Sequence, residues 1–285
     1  MGLYLRPRTI EEAVAALAAR GLTVLAGGTD FYPARVGRAL DDDVLDVTAI
    51  DALRGITATD DHWRIGAATT WRDIVDADLP SLFDGLKLAA RDVGGAQIQN
   101  AGTIAGNLCN ASPAADGVPV LLALDADVVL QSAAASRTVP LADFIRGNRR
   151  TALRADEIMT AVRVPRRAMR SVTHFLKLGA RRYLVISIAM AAGTIAVDDG
   201  GRITAAGIAI GACSEVARRL PALEQALVGE RADGALADKL SASHLAPLAP
   251  VDDVRGSADY RLDAAATLVR RLVSVLAGKI TGTPA

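Results

Sequence analysis

The sequence predicts an α+β protein of two domains, and three observations predict it. Short strand-like and helix-like patterns alternate through the first part of the 285 residues. A basic, patternless stretch at 165–170, PRRAMR, then interrupts them. Beyond it come three strand-like runs followed by two helical ones, the order expected of an α+β unit. The boundary is therefore placed to give domains 1–168 and 169–285.

The elements follow in order. TIEE at 9–12 is a capping box, with Thr9 as N-cap and Glu12 three residues on. Ile10, Ala13, Val14 and Leu17 share the next helical face, and Gly21 stops the helix. Residues 23–26 read as a buried strand, AGGTD follows at 26–30, and a short helix is expected over 31–36. Residues 44–47 form another strand, so the opening is a small β–α unit. Strands at 56–59 and 62–67 pair across the acidic turn Asp60-Asp61. Thr70 and Asp73 bracket a second capping box, and helices are expected over 81–91 and 113–124. Residues 127–131 and 137–139 make a hairpin, while 157–164 alternates and ends at Pro165. In the second half, 175–178, 187–197 and 202–210 are strands, the last two joined by the turn DDGG at 198–201. Helices near 220–228 and 263–276 complete it.

Composition excludes several functions. There are 32 basic and 32 acidic side chains and no basic stripe, so binding to nucleic acid through counterion release is not expected. Cys109 and Cys213 are too few for a disulfide framework, an iron–sulfur cluster or a Cys-rich zinc site. His62, His174 and His244 show no paired spacing, and no metal site is expected. The N-terminus lacks a signal-peptide core. The longest uncharged apolar run, 183–197, has 15 residues, short of the roughly 20 a spanning helix needs. A soluble cytoplasmic protein without a membrane span is expected.

Two glycine-bearing loops carry the chemistry. AGGTD lies between a strand and an expected helix, where exposed amides can cradle an anion. The same GG also suits a plain tight turn. Asp30 would repel a phosphate if it pointed inward, so it is expected to cap the loop or meet a sugar hydroxyl. The pattern is neither G-x-G-x-x-G nor a P-loop. The second loop is richer. Between Asp92 and Asp116 lie 23 residues with no Asp, Glu, Lys, Arg or His. Within it GTIAGN at 102–107 offers two glycines, a hydroxyl and an amide, and Asn110 and Ser112 extend the polar side. A charge there would have to be desolvated against a ligand, at about several kcal/mol per unpaired ion.

LAGGTDF at 25–31 and IQNAGTIAGNLCNASPAAD at 98–116, about 70 residues apart, resemble the paired motifs of the FAD-binding subunit of molybdenum hydroxylases. That family includes the medium subunit of carbon monoxide dehydrogenase and the flavin domain of xanthine dehydrogenase. DEIMTAVRVP at 156–165, FLKLGARR at 175–182 and AIGACSEVARRL at 209–220 resemble its later segments, so the likeness runs nearly end to end.

The resemblance implies FAD held between two subdomains, about 1–55 and 56–168, with a smaller C-terminal α+β domain beside them. Leu25, Ala26, Gly27, Gly28, Thr29, Asp30 and Phe31 would enclose the pyrophosphate from one side. Gly102, Thr103, Ile104, Ala105, Gly106 and Asn107 would do so from the other. Asp116 would meet hydroxyls, Met159 would give an apolar flavin contact, and Lys177 would approach the flavin and tune it. No catalytic acid or base is implied. The partners implied are a 2Fe-2S small subunit and a molybdopterin-binding large subunit, in a heterotrimer that can dimerise. Electrons would pass from iron–sulfur clusters through FAD to an external acceptor. A stand-alone FAD-dependent oxidoreductase and a degenerate, non-catalytic assembly subunit are the alternatives. One departure favours the latter: Ala105 stands where the family often has the first glycine of a pair, and alanine there tolerates only negative φ comfortably.

Overall fold

The computed structural model describes residues 2–37, 39, 41–167 and 170–282. The expected boundary between 168 and 169 lies outside the described residues.

The chain opens with β1 (Tyr4–Leu5), α1 (Ile10–Ala19), β2 (Thr23–Leu25) and β3 (Val44–Asp46), a parallel sheet in the order β1-β3-β2. Thr9 Oγ1 accepts the Glu12 N–H at 3.2 Å, as a capping box requires. The Glu12 carboxylate, however, takes the N–H of Arg8 at 2.8 Å, one residue outside the cap. Arg20, in extended backbone, ends the helix. The helix expected over 31–36 is only a 3-10 turn, Pro33–Arg35.

Next come β4 (Ile56–Ala58), β5 (His62–Gly66) and α2 (Trp71–Asp76), the last opened by both bonds of the Thr70–Asp73 box. The helices α3 (Asp84–Asp92), α4 (Ala96–Ala101), α5 (Ile104–Asn110) and α6 (Gly117–Ala123) follow. Thus the neutral stretch expected as a loop holds two short helices, the second capped by its own Thr103. After β6 (Asp127–Gln131), β7 (Ser136–Pro140), α7 (Leu141–Phe144), β8 (Ile145–Gly147) and β9 (Arg150–Thr151), β10 (Ile158–Pro165) closes a five-stranded antiparallel sheet in the order β4-β5-β10-β6-β7. Central in that sheet, β10 is buried over its first five residues instead of alternating.

The second half is a four-stranded antiparallel sheet of β11 (Arg170–Leu178), β12 (Ala189–Val197), β13 (Ile203–Gly211) and β14 (Arg218–Arg219), with α8 (Pro221–Leu227) and α9 (Ala258–Thr281). All nine residues of β12 are buried. Helix α9 packs against β11 and β12, while α3 and α6 of the first half pack on the same sheet. A strand covered on both faces reads as one continuous apolar run. Phe175, Met190, Ala192 and Ala209 of this sheet join the core of the first half. At Gly207 an added Cβ would lie 2.3 Å from the Ala123 carbonyl oxygen, so β13 and α6 meet backbone to backbone.

Helix α9 begins at its N-cap Ser257, six residues before the expected start. The cause is Arg261, a charge in a helical stripe that reads as apolar only later. It is 3% exposed and donates to Ile188 O at 2.6 Å, Ala212 O at 3.0 Å and Asp253 at 2.6 Å. A buried charge is tolerated when its terminal nitrogens are met in this way, although Nε is left without a partner.

Candidate functional site

The two glycine-bearing segments meet. An added Cβ on Gly27 would lie 1.8 Å from the carbonyl oxygen of Ala101, a separation only glycine permits. Beside this contact a cleft of about 430 Å³ opens. It is lined by Leu25, Ala26, Gly27, Gly28, Thr29, Asp30 and Phe31 on the first segment. Gly102, Thr103, Ala105, Gly106 and Asn107 line it on the second, and Met159 on β10.

The amides of the two segments differ. Among the described residues, the N–H groups of Gly27, Gly28, Thr29 and Asp30 donate to no protein acceptor. Gly28 has φ +72°, a left-handed turn that suits glycine. On the second segment the donors are already used, apart from the Thr103 N–H. Ile104 donates to Thr69 O at 3.0 Å, Ala105 to Ala67 O at 3.2 Å and Asn107 to Thr103 O at 3.1 Å. Gly106 donates to Thr103 Oγ1 at 3.1 Å, the N-cap bond of α5. One wall therefore offers a run of free amides, which fits an anion. The other offers side chains. Asn107 Oδ1 is buried there with no partner, an acceptor waiting for a donor. Free amides and an orphaned acceptor in one cleft fit a ligand that carries both a diphosphate and hydroxyl or amine donors, as FAD does.

Ala105 sits inside α5 with negative φ, so the position needs no left-handed glycine. Its departure from the glycine pair is harmless. The Asp30 carboxylate accepts no hydrogen bond from the described residues, so it does not cap its loop.

Three of the expected residues lie outside the cleft lining. Ile104 is fully buried in the core. Asp116 and Lys177 pair with each other at 2.7 Å. Ser187 Oγ donates to the other Asp116 oxygen at 2.7 Å, and Lys177 also donates to Asp92 O at 3.2 Å. Burial pushes the Asp116 carboxyl above the ordinary carboxylate range, while Lys177 and Ser187 pull it back. Val93, the neighbour of Asp92, does line the cleft, so the pair stands next to it.

Of the other lining residues, all but Asn110 carried no sequence signal. Val47, Leu53, Ala67, Ala68, Leu153 and Ile158 supply apolar lining from separate stretches of chain. Arg35 lines the cleft with its guanidinium 3.7 Å from the Phe31 ring centre and bound to both oxygens of Asp42. Asn110 and Arg149 line it as well. Cys109 lines it too, and burial pushes its thiol up to about 12, which keeps it protonated and unreactive. No group of metal-ligating side chains occurs among the described residues, and no helix among them is long and apolar enough to cross a membrane.

Comparison with known proteins covers both halves. Residues 1–167 match the family described as the FAD binding domain in molybdopterin dehydrogenase, and residues 174–276 match the CO dehydrogenase flavoprotein C-terminal domain. The nicotinate dehydrogenase FAD-subunit of Eubacterium barkeri is 36% identical over 240 residues, 79% of each chain. The glyceraldehyde dehydrogenase medium chain of Sulfolobus acidocaldarius is 30% identical over 274 residues, 94% of this chain and 95% of that one. Among solved structures, carbon monoxide dehydrogenase from Hydrogenophaga pseudoflava aligns with a TM-score of 0.86 at 29% identity, covering 96% of each chain.

Proposed function

Because the chain belongs to the family of FAD-binding domains of molybdopterin dehydrogenases, we propose that it is the electron-transferring medium subunit of a multi-subunit molybdenum hydroxylase. It is a flavoprotein of the oxidoreductases and its cofactor is FAD. FAD, when bound, would supply the redox chemistry between a partner 2Fe-2S subunit and an external acceptor.

The observation that carries this reading is the run of free amides from Gly27 to Asp30 facing the orphaned Asn107 oxygen across one cleft. The amides of Gly27, Gly28 and Thr29 hold the diphosphate, and Asn107 accepts from a ligand hydroxyl or amine. Leu25, Ala26 and Met159 exclude water from the apolar part of the ligand. Ile104 acts from beneath, by holding α5 in the core. We assign Asp116 and Lys177 to the flavin end, where the Lys177 ammonium favours a reduced, anionic ring. Substrate chemistry belongs to a molybdopterin-binding partner, so no acid or base is assigned to this chain. Residues 1–168 are read as the cofactor domain and 169–285 as the domain packed beside it.

The test is the visible spectrum of the purified chain, mass analysis of any ligand released by heat, and co-purification with partners. Released FAD together with iron–sulfur and molybdopterin chains supports the proposal. FAD without any partner points to a stand-alone oxidoreductase. A chain that stays colourless after incubation with FAD overturns the cofactor assignment for the isolated subunit.

A further inference from the structure

We propose that Arg149 is the cationic counterpart of the FAD diphosphate, a role that rests on the flavin reading above. Three charged side chains line the cleft: Asp30, Arg35 and Arg149. Arg35 is neutralised by Asp42, with contacts at 2.6 and 3.0 Å to its two oxygens. Asp30 remains as a negative charge. Without Arg149 the lining would thus present a net negative charge to a dianion. Among the described residues, Arg149 is the one cation of the lining with no carboxylate within 4 Å.

The backbone holds this side chain at the cleft. Arg149 has φ +58°, in the left-handed region that non-glycine residues rarely adopt. Its N–H donates to Ala111 O at 3.0 Å, and Ala111 is itself left-handed, with φ +46°. Two such residues joined by one hydrogen bond are backbone strain of the kind that persists where a site imposes it. The turn is also anchored on the second domain. Asn148 N–H donates to Glu215 at 3.3 Å, and Arg150 pairs with the same carboxylate at 3.0 Å. The Arg149 guanidinium donates from Nη1 to Asn110 Oδ1 and to nothing else among the described residues. A guanidinium has five N–H donors, so most of this fork is free for phosphate oxygens.

The experiment uses the full chain stripped of flavin, titrated calorimetrically with FAD, ADP and adenosine, for the wild type, R149Q and R149K. Loss of one charge-assisted contact should weaken FAD and ADP binding in R149Q roughly ten- to hundredfold. Adenosine, which has no phosphate, should bind R149Q as tightly as wild type. R149K keeps the charge without the fork, so its ADP affinity should fall between the other two. It carries the test alone if R149Q does not fold. Added salt should weaken ADP binding to wild type more than to R149Q. Equal ADP affinities for wild type and both variants overturn the proposal. Equal losses for ADP and adenosine also overturn it, since they place Arg149 on the adenosine. A wild-type chain that binds none of the three ligands overturns the flavin reading itself, and the Arg149 role with it.

Discussion

The ammonium of Lys177 lies 2.7 Å from the carboxylate of Asp116, with the two side chains only 8% and 9% exposed. The pair ties the end of the neutral stretch before α6 to β11 in the second half of the chain, and Ser187 completes it from the segment before β12. Taking both ions out of water costs nearly as much as their attraction returns, so such a pair adds little net stability. Removing one partner is different, because a buried charge is left alone.

Lys177→Met should therefore destabilise the chain by about 3–5 kcal/mol. The double variant Lys177→Met with Asp116→Leu should lose much less than the sum of the single losses. Chemical denaturation of all four species gives the coupling. Additive losses would show that the two groups do not depend on each other. In the flavin-loaded subunit, Lys177→Met should also shift the flavin potential, and an unchanged potential removes Lys177 from cofactor tuning.

Gly27→Ala should release the flavin and lower the melting temperature together. Its methyl would lie 1.8 Å from the Ala101 carbonyl, so the two segments must separate before any ligand is considered. Gly21→Ala is the control, because an added Cβ there meets nothing within 4 Å. Absorbance near the flavin bands and a melting curve read both effects. Full flavin occupancy in Gly27→Ala would mean that the segments need not touch to bind.

His174 should make the fold acid-sensitive. Its Nδ1 is buried without a partner on β11. Burial, and then the Lys279 ammonium, push its pKa down to about 4 from 6.5, against the opposing pull of Asp84. Lys279 is itself held at 2.9 Å from both Asp84 and Thr173 O. In the folded chain the ring stays neutral where the unfolded chain would bind a proton. Stability from this group is thus fully present above pH 6.5 and is lost as pH falls towards 4. Melting temperatures of wild type and His174→Gln across that window should converge at low pH from a wild-type advantage at neutral pH, or at least fall less steeply in the variant. Parallel curves would mean that groups other than His174 account for all of the acid loss.

Much of this protein was legible from sequence because the signals are local. The N-cap at Thr9 and the capping box at Thr70 act within four residues, and both open helices. The turn at 198–201 joins β12 and β13, as its composition demands. The two glycine-bearing motifs pointed to the segments that meet at the cleft, and the α+β class follows from the order of strands and helices. Where local signals conflicted with distant partners, the sequence misled. Arg261 hid the first turn of α9, because its charge is satisfied by carbonyls of Ile188 and Ala212 far away in the chain. The neutral stretch reads as a loop, yet packing against α2, α6 and β10 holds it in two short helices.

What the sequence determined by itself is the backbone's menu: where it turns, where it caps and which segments are too neutral to face water for their own sake. Which of those groups remain available to a ligand was decided only by tertiary structure. The carbonyls of Ala67 and Thr69 take the amides of Ala105 and Ile104, while nothing among the described residues takes those of Gly27 to Asp30. Likewise Asp42 neutralises Arg35, while no carboxylate of the described residues pairs with Arg149. A free donor or a free charge is defined by the absence of a neighbour, and neighbours distant along the chain, such as Ala67 and Thr69 for α5, are brought there by packing, not by the local chain.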